Sequence, residues 1–121
     1  MKHVLIIDDD RWFAELLAKQ LRGINVDVQI AAHALEAMAA IDERPPAAII
    51  LDIFMPGPNG FVLLQELQSH SDLVQIPVII CTTSTSDLRM EDAAAYGVRQ
   101  ILDKSTMTPQ SAVAAVRKVL V

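Results

Sequence analysis

The sequence of 121 residues contains one cysteine, Cys81, so no intrachain disulfide forms. Cys81 stands inside an apolar run with no neighbouring cation in sequence. It reads as a small buried hydrophobe in a reducing compartment rather than a reactive thiol. No apolar stretch approaches the roughly 20 residues that cross a bilayer. The start, "MKHVLIIDDD", is cut off by acid too early for a signal peptide. Positive charge is in deficit, with 10 Lys and Arg against 15 Asp and Glu and a net charge of −5. That sign excludes broad electrostatic binding to nucleic acid or to an anionic membrane. Internal repeats, low-complexity segments and linkers are absent as well. The remainder is a soluble, cytoplasmic protein of one domain, spanning residues 1–121.

What is present alternates. Val4–Ile7 is a short β-branched run, as in a strand buried on both faces. Phe13, Leu16, Leu17 and Leu21 then form the stripe of an amphipathic helix that Gly23 stops. "VDVQI" at 26–30 alternates weakly, as an edge strand does. An Ala-rich helix at 34–44 ends at Pro45-Pro46, and "AAIIL" at 47–51 is a second buried strand. The Pro- and Gly-rich "IFMPGPNG" at 53–60 is a loop, followed by a short helix in "FVLLQELQSH". Pro77 opens the buried run "VIIC", and a helix from the Ser86-Asp87 cap ends at Gly97. "VRQIL" is the last strand, and Thr108-Pro109 starts a helix with Val113, Val116 and Leu120 on one face. Five strands alternating with five helices imply a doubly wound α/β fold with a parallel sheet. Such sheets bind ligands beyond the carboxyl ends of their strands.

The residues at those ends are chemically coherent. Asp8, Asp9 and Asp10 follow the first strand, Asp52 the third, Thr82-Thr83-Ser84 the fourth, and Asp103-Lys104 the fifth. Taken singly, each has a bland explanation: Asp10 as a helix cap, the hydroxyls as a polar turn, Lys104 as a solvated charge. Their coincidence at one sheet edge outweighs that. Asp8, Asp9 and Asp52 offer only oxygen donors, with no His or Cys beside them, which suits a hard cation such as Mg²⁺ rather than zinc. A lysine and a threonine opposite would pair with phosphoryl oxygens, and a carboxylate can accept a phosphoryl group.

These residues carry a resemblance. Asp8-Asp9 after "VLII", Asp52 in "IILDIFMPGPNGF", Thr82 in "PVIICTT" and Lys104 in "QILDK" resemble the receiver domain of bacterial two-component response regulators, the CheY-like superfamily. The resemblance spans the whole chain and implies a flavodoxin-like sheet in the order 2-1-3-4-5. It also implies that Asp52 accepts a phosphoryl group from a sensor histidine kinase or a histidine phosphotransfer protein. Asp9, Asp52 and the main-chain carbonyl of Phe54 would bind Mg²⁺, with Asp8 acting mainly through metal-bound water. Thr82 and Lys104 would contact the phosphoryl oxygens, and Thr82 with the residue at Ile101 would relay the signal. The relay would reach the 86–121 face, used for partners or a homodimer, where Tyr96, Arg89, Arg99 and Arg117 are candidates.

Some positions depart from the family pattern. Ser105 follows Lys104 where proline, often cis, is usual, and Ile101 replaces an aromatic switch residue. Phe54 and Ser84 hold no attacking water well, so slow self-dephosphorylation is expected. The chain ends after the fifth helix, so no output domain is expected within it. The alternative to phosphorylation is a receiver-like protein-interaction module that works without it. A phosphohydrolase is disfavoured because Phe54 stands where an acid/base carboxylate belongs, and a flavin carrier because no phosphate loop follows the first strand.

Overall fold

The apolar run before the acids is the spine of the molecule. In a computed structural model, which describes residues 2–53, 60–83 and 90–120, it forms β1 (His3–Ile7), paired in parallel with two neighbours. β2 (Asp27–Ala31) lies on one side and β3 (Ala48–Leu51) on the other, followed by β4 (Val78–Thr82) and β5 (Val98–Asp103). The order β2-β1-β3-β4-β5 is that of the expected doubly wound sheet. Between the strands run α1 (Arg11–Arg22), α2 (Ala34–Glu43), α3 (Gly60–Gln68), α4 (Met90–Ala94) and α5 (Pro109–Leu120). The loop after Asp52 and the capped start of the fourth helix lie outside the described residues, and with them Phe54, Ser84 and Arg89.

Alternation along each strand splits the interior into two layers. Leu5, Ile7, Ile49, Leu51 and Ile80 face α2, α3 and α4. Val4, Ile6, Ile50, Ile79 and Cys81 face α1 and α5. Every residue of β1, β3 and β4 is therefore buried, whereas the edge strands β2 and β5 are partly open.

The helices meet the sheet through smaller side chains than their leucines suggest. On α1 the buried residues are Ala14, Leu17, Ala18 and Leu21, while Leu16 is 40% exposed. On α5 they are Ala112, Ala115 and Val116, with Val113 and Leu120 half-buried at the rim. Alanines allow a close approach of helix to sheet, so the larger residues turn to the flanks. Asp10 caps α1 by accepting from the Phe13 amide at 3.1 Å, and Gly97 leaves α4 at a φ of 82°, a conformation glycine adopts without cost.

At the end of the sheet opposite the acids, His3 is buried, and neither ring nitrogen has a hydrogen-bond partner. Asp27 is 3.9 Å away but is drawn to Arg44 at 2.7 Å. Burial, reinforced by Arg44, pushes the imidazole below its ordinary 6.5. The unfolded chain therefore binds this proton more readily than the folded one. His3 should contribute no loss above pH 6.5 and a growing loss as pH falls from 6.5 toward its folded value. Urea unfolding of the protein and of His3→Gln across that window should diverge; parallel pH profiles would refute the assignment.

Candidate functional site

Strand register builds the site. Ile7 pairs with Leu51, so the residues that follow them, Asp8 and Asp52, emerge side by side. The ladder continues one residue past the strands, with the Asp52 amide donating to Ile7 at 2.9 Å and the Asp8 amide to Ala31 at 3.0 Å. On the other side Thr82 pairs with Asp103 as the last residue of each strand, and the Lys104 amide donates to the Thr82 carbonyl at 2.9 Å.

Lys104 reaches back across the mouth. Its Nζ lies 2.6 Å from Asp8 Oδ2 and 3.1 Å from Asp52 Oδ2. Asp8 is 2% exposed and also accepts from the Asp10 amide at 2.9 Å. Burial pushes the Asp8 carboxyl up, an effect that its bond to Lys104 only partly offsets. Burial alone would lower Lys104, but the carboxylates of Asp8 and Asp52 outweigh it and hold the ammonium above its ordinary value. Both groups move up, which favours the neutral acid at Asp8 but the charged ammonium at Lys104, because Lys104 has two anionic partners while Asp8 shares the lysine with Asp52.

Asp9 is exposed, yet carboxylate oxygens of Asp8, Asp9 and Asp52 all lie within 4.8 Å of one another. Three acidic oxygen donors with no nitrogen or sulfur among them could hold a hard divalent cation. Without one, a single lysine among the described residues faces three carboxylates, and Asp9 adds repulsion that Lys104 does not directly answer. Asp9→Ala should therefore raise stability in EDTA, by about 1 kcal/mol. It should also flatten the response of the melting temperature to millimolar Mg²⁺. A variant that melts lower than the parent in EDTA would overturn this reading of the cluster.

The turn after β5 takes a path without proline. No peptide bond among the described residues is cis, and the Asp103 carboxylate accepts from both the Ser105 amide, at 2.9 Å, and its hydroxyl. That Asx-type turn aims Lys104 into the mouth without a ring to fix the backbone. Ile101 is half-buried and packs, like Tyr96, on the core beneath α2 to α4. Arg99 is exposed at the open edge, and Arg117 lines a groove with Lys2 and Leu120 away from the site.

One partner of Lys104 was not legible in the sequence. The Phe13 ring, read there as part of a core stripe, lies beneath the ammonium with its centroid 4.6 Å away. Beside it a groove of about 210 Å³ runs past Trp12, Leu16, Met107 and Pro109 to Lys104. Trp12, 75% exposed at the second position of α1, was its only sequence signal.

A family model for the response regulator receiver domain matches residues 4–117. The chain belongs to that family. Among curated relatives, this receiver is 28% identical to the DNA-binding response regulator MtrA of Mycobacterium tuberculosis over 96% of the chain. The match covers 49% of MtrA, so the chain spans about half the length of such relatives. Among solved structures, the receiver is similar to the chemotaxis response regulator CheY4 of Vibrio cholerae, with a TM-score of 0.88 and 27% identity. That match covers 99% of both chains. A putative response regulator from Chloroflexus aurantiacus gives a TM-score of 0.85 at 30% identity, covering 98% of the receiver and 97% of that chain. No described helix of the receiver is long and apolar enough to cross a membrane.

Proposed function

We propose that this receiver is the phosphoacceptor of a two-component phosphorelay and that Asp52 takes the phosphoryl group. The observation that carries the reading is Lys104 Nζ, bonded to both Asp8 and Asp52 within a mouth of three carboxylates. An Asp52 oxygen would form the new bond to phosphorus as the bond from phosphorus to a donor histidine nitrogen breaks. The electron pair stays on that imidazole. Lys104 would leave Asp52 to neutralise a phosphoryl oxygen, and the Thr82 hydroxyl at the end of β4 would donate to another. Asp8, Asp9 and Asp52, with the Phe54 carbonyl, would hold Mg²⁺, which supplies charge neutralisation to the phosphoryl oxygens.

The donor would be a sensor histidine kinase or a histidine phosphotransfer protein. Movement of Thr82 and Ile101 would alter the 86–121 face for a partner or a second copy, and residues 1–121 would form the whole module. The chain would catalyse only its own phosphoryl transfer and dephosphorylation. Incubation with Mg²⁺ and a small acyl phosphate should add the mass of one phosphoryl group, with no gain in Asp52→Ala. Absence of any adduct would favour a module that binds partners without phosphorylation, and steady phosphate release would favour a hydrolase.

A further inference from the structure

The face formed by α2 and α3 has no part in the site described above. A groove of about 530 Å³ runs between the two helices. Its lining repeats at i, i+4 and i+8 on both sides: Ala34, Met38 and Asp42 from α2, then Val62, Glu66 and His70 from α3 and the turn after it. Eight steps of helix make it roughly 12 Å long, about two turns. Leu35, 75% exposed, and Val62, 52% exposed, stand on its rim. Exposed apolar residues gathered along a groove, rather than scattered, mark an interaction surface.

Charge sorts the possible occupants. The sequences of α2 and α3 contain Glu36, Asp42, Glu43 and Glu66 but no Lys or Arg. The other long helices end as the helix dipole favours, α1 with Lys19 and Arg22, α5 with Arg117 and Lys118. By contrast α2 and α3 have no basic residue in their last turns, and α2 carries Asp42 and Glu43 there. Arg44, which follows α2, is turned to Asp27 at 2.7 Å. Two helix C-termini and Asp42 thus present negative charge beside an apolar trough, joined by Glu66, whose carboxylate meets the His70 ring at 3.1 Å but faces no Lys or Arg of either helix. An anionic membrane or a nucleic acid would be repelled by it.

We infer that the α2–α3 groove is a docking site for an amphipathic helix of a partner protein, one with an apolar ridge flanked by Lys or Arg. Leu35, Met38 and Val62 would take the ridge in helix-in-groove packing. The cations would settle against Asp42, Glu66 and the two helix ends, where they complement the dipoles as well as the carboxylates. The site is independent of Asp52 and would exist whether or not the chain is phosphorylated.

Two synthetic peptides of about four helical turns test this, with identical Leu/Phe ridges and either Lys or Glu on the flanks. The Lys peptide should bind the intact chain about tenfold more tightly than the Glu peptide, and added salt should narrow the gap. Amide shifts should cluster on α2 and α3. Leu35→Ser combined with Val62→Ser should abolish binding, and Asp42→Lys with Glu66→Lys should reverse the peptide preference. These positions are exposed, and an unchanged urea midpoint verifies folding in each variant. Equal affinity for the two peptides or shifts centred on Trp12 would overturn the inference. So would a dimer in sedimentation that Leu35→Ser dissociates, because the occupant would then be a second copy.

Discussion

Lys104→Met should lower the unfolding free energy by about 3 kcal/mol in EDTA at neutral pH. The variant keeps an unbranched apolar stem of about the same reach and removes the ammonium. Asp8, almost wholly buried, and Asp52 then lose the lysine bonded to both. Removing one partner of a buried ion pair costs more than the pair contributed, because the remaining charge stays desolvated. Lys104 is held above its ordinary 10.5, so its contribution is complete below that value and is lost only as pH rises through the folded one. The difference between parent and variant should therefore be undiminished at neutral pH. It should shrink in acid, where the carboxyl groups of the variant take up protons. Millimolar Mg²⁺ should return part of the loss if the cluster holds the ion. Coincident urea midpoints for the two proteins at pH 7 would show that the lysine does not hold the site together.

Gly60→Ala should be comparably harmful, for a steric reason. Gly60 is the first residue of α3, and its amide donates to the Ile53 carbonyl at 2.9 Å. A Cβ there would sit 2.7 Å from Ile53 Cα and 3.3 Å from the Asp52 carbonyl oxygen. Backbone cannot yield as a side-chain tip does, so α3 must lift from the segment that carries Asp52. The expected cost is about 3 kcal/mol, at the upper end for overpacking. Denaturant titration beside Gly23→Ala, a glycine with right-handed backbone, gives the comparison. Equal losses in the two variants would mean that α3 is not seated by this contact.

The legible part of the fold was the part that hydrophobic runs dictate. Strands buried on both faces cannot hide: "VLII", "AAIIL" and "VIIC" have no polar alternation to confuse them with helix. Helix faces were harder to read. Alanine carries little hydrophobic signal, so the stripe on α1 was drawn through Phe13 and Leu16 rather than Ala14 and Ala18. The difference matters for the site, because Phe13 packs only against the margin of that core and its ring also lies under Lys104. The meeting of Asp8, Asp9 and Asp52 followed from strand order, since residues after neighbouring parallel strands emerge together. The route of Lys104 did not, because it depends on Asp103 accepting from Ser105, a contact that turn residues permit but do not announce. His3 was invisible for a similar reason: nothing in a sequence tells a histidine at a strand start that its nitrogens will be sealed.

Cys81 has a use that its burial creates. The thiol is 1% exposed and pushed up to about 12 by desolvation, with its sulfur 3.0 Å from that of Met107. A thiolate-directed reagent can reach it only when the sheet itself comes apart. As the sole cysteine of the chain, it makes the rate of alkylation a clock for opening of the central sheet. The clock needs no label and no substitution, and ligands that steady the native protein can be ranked by how far they slow it.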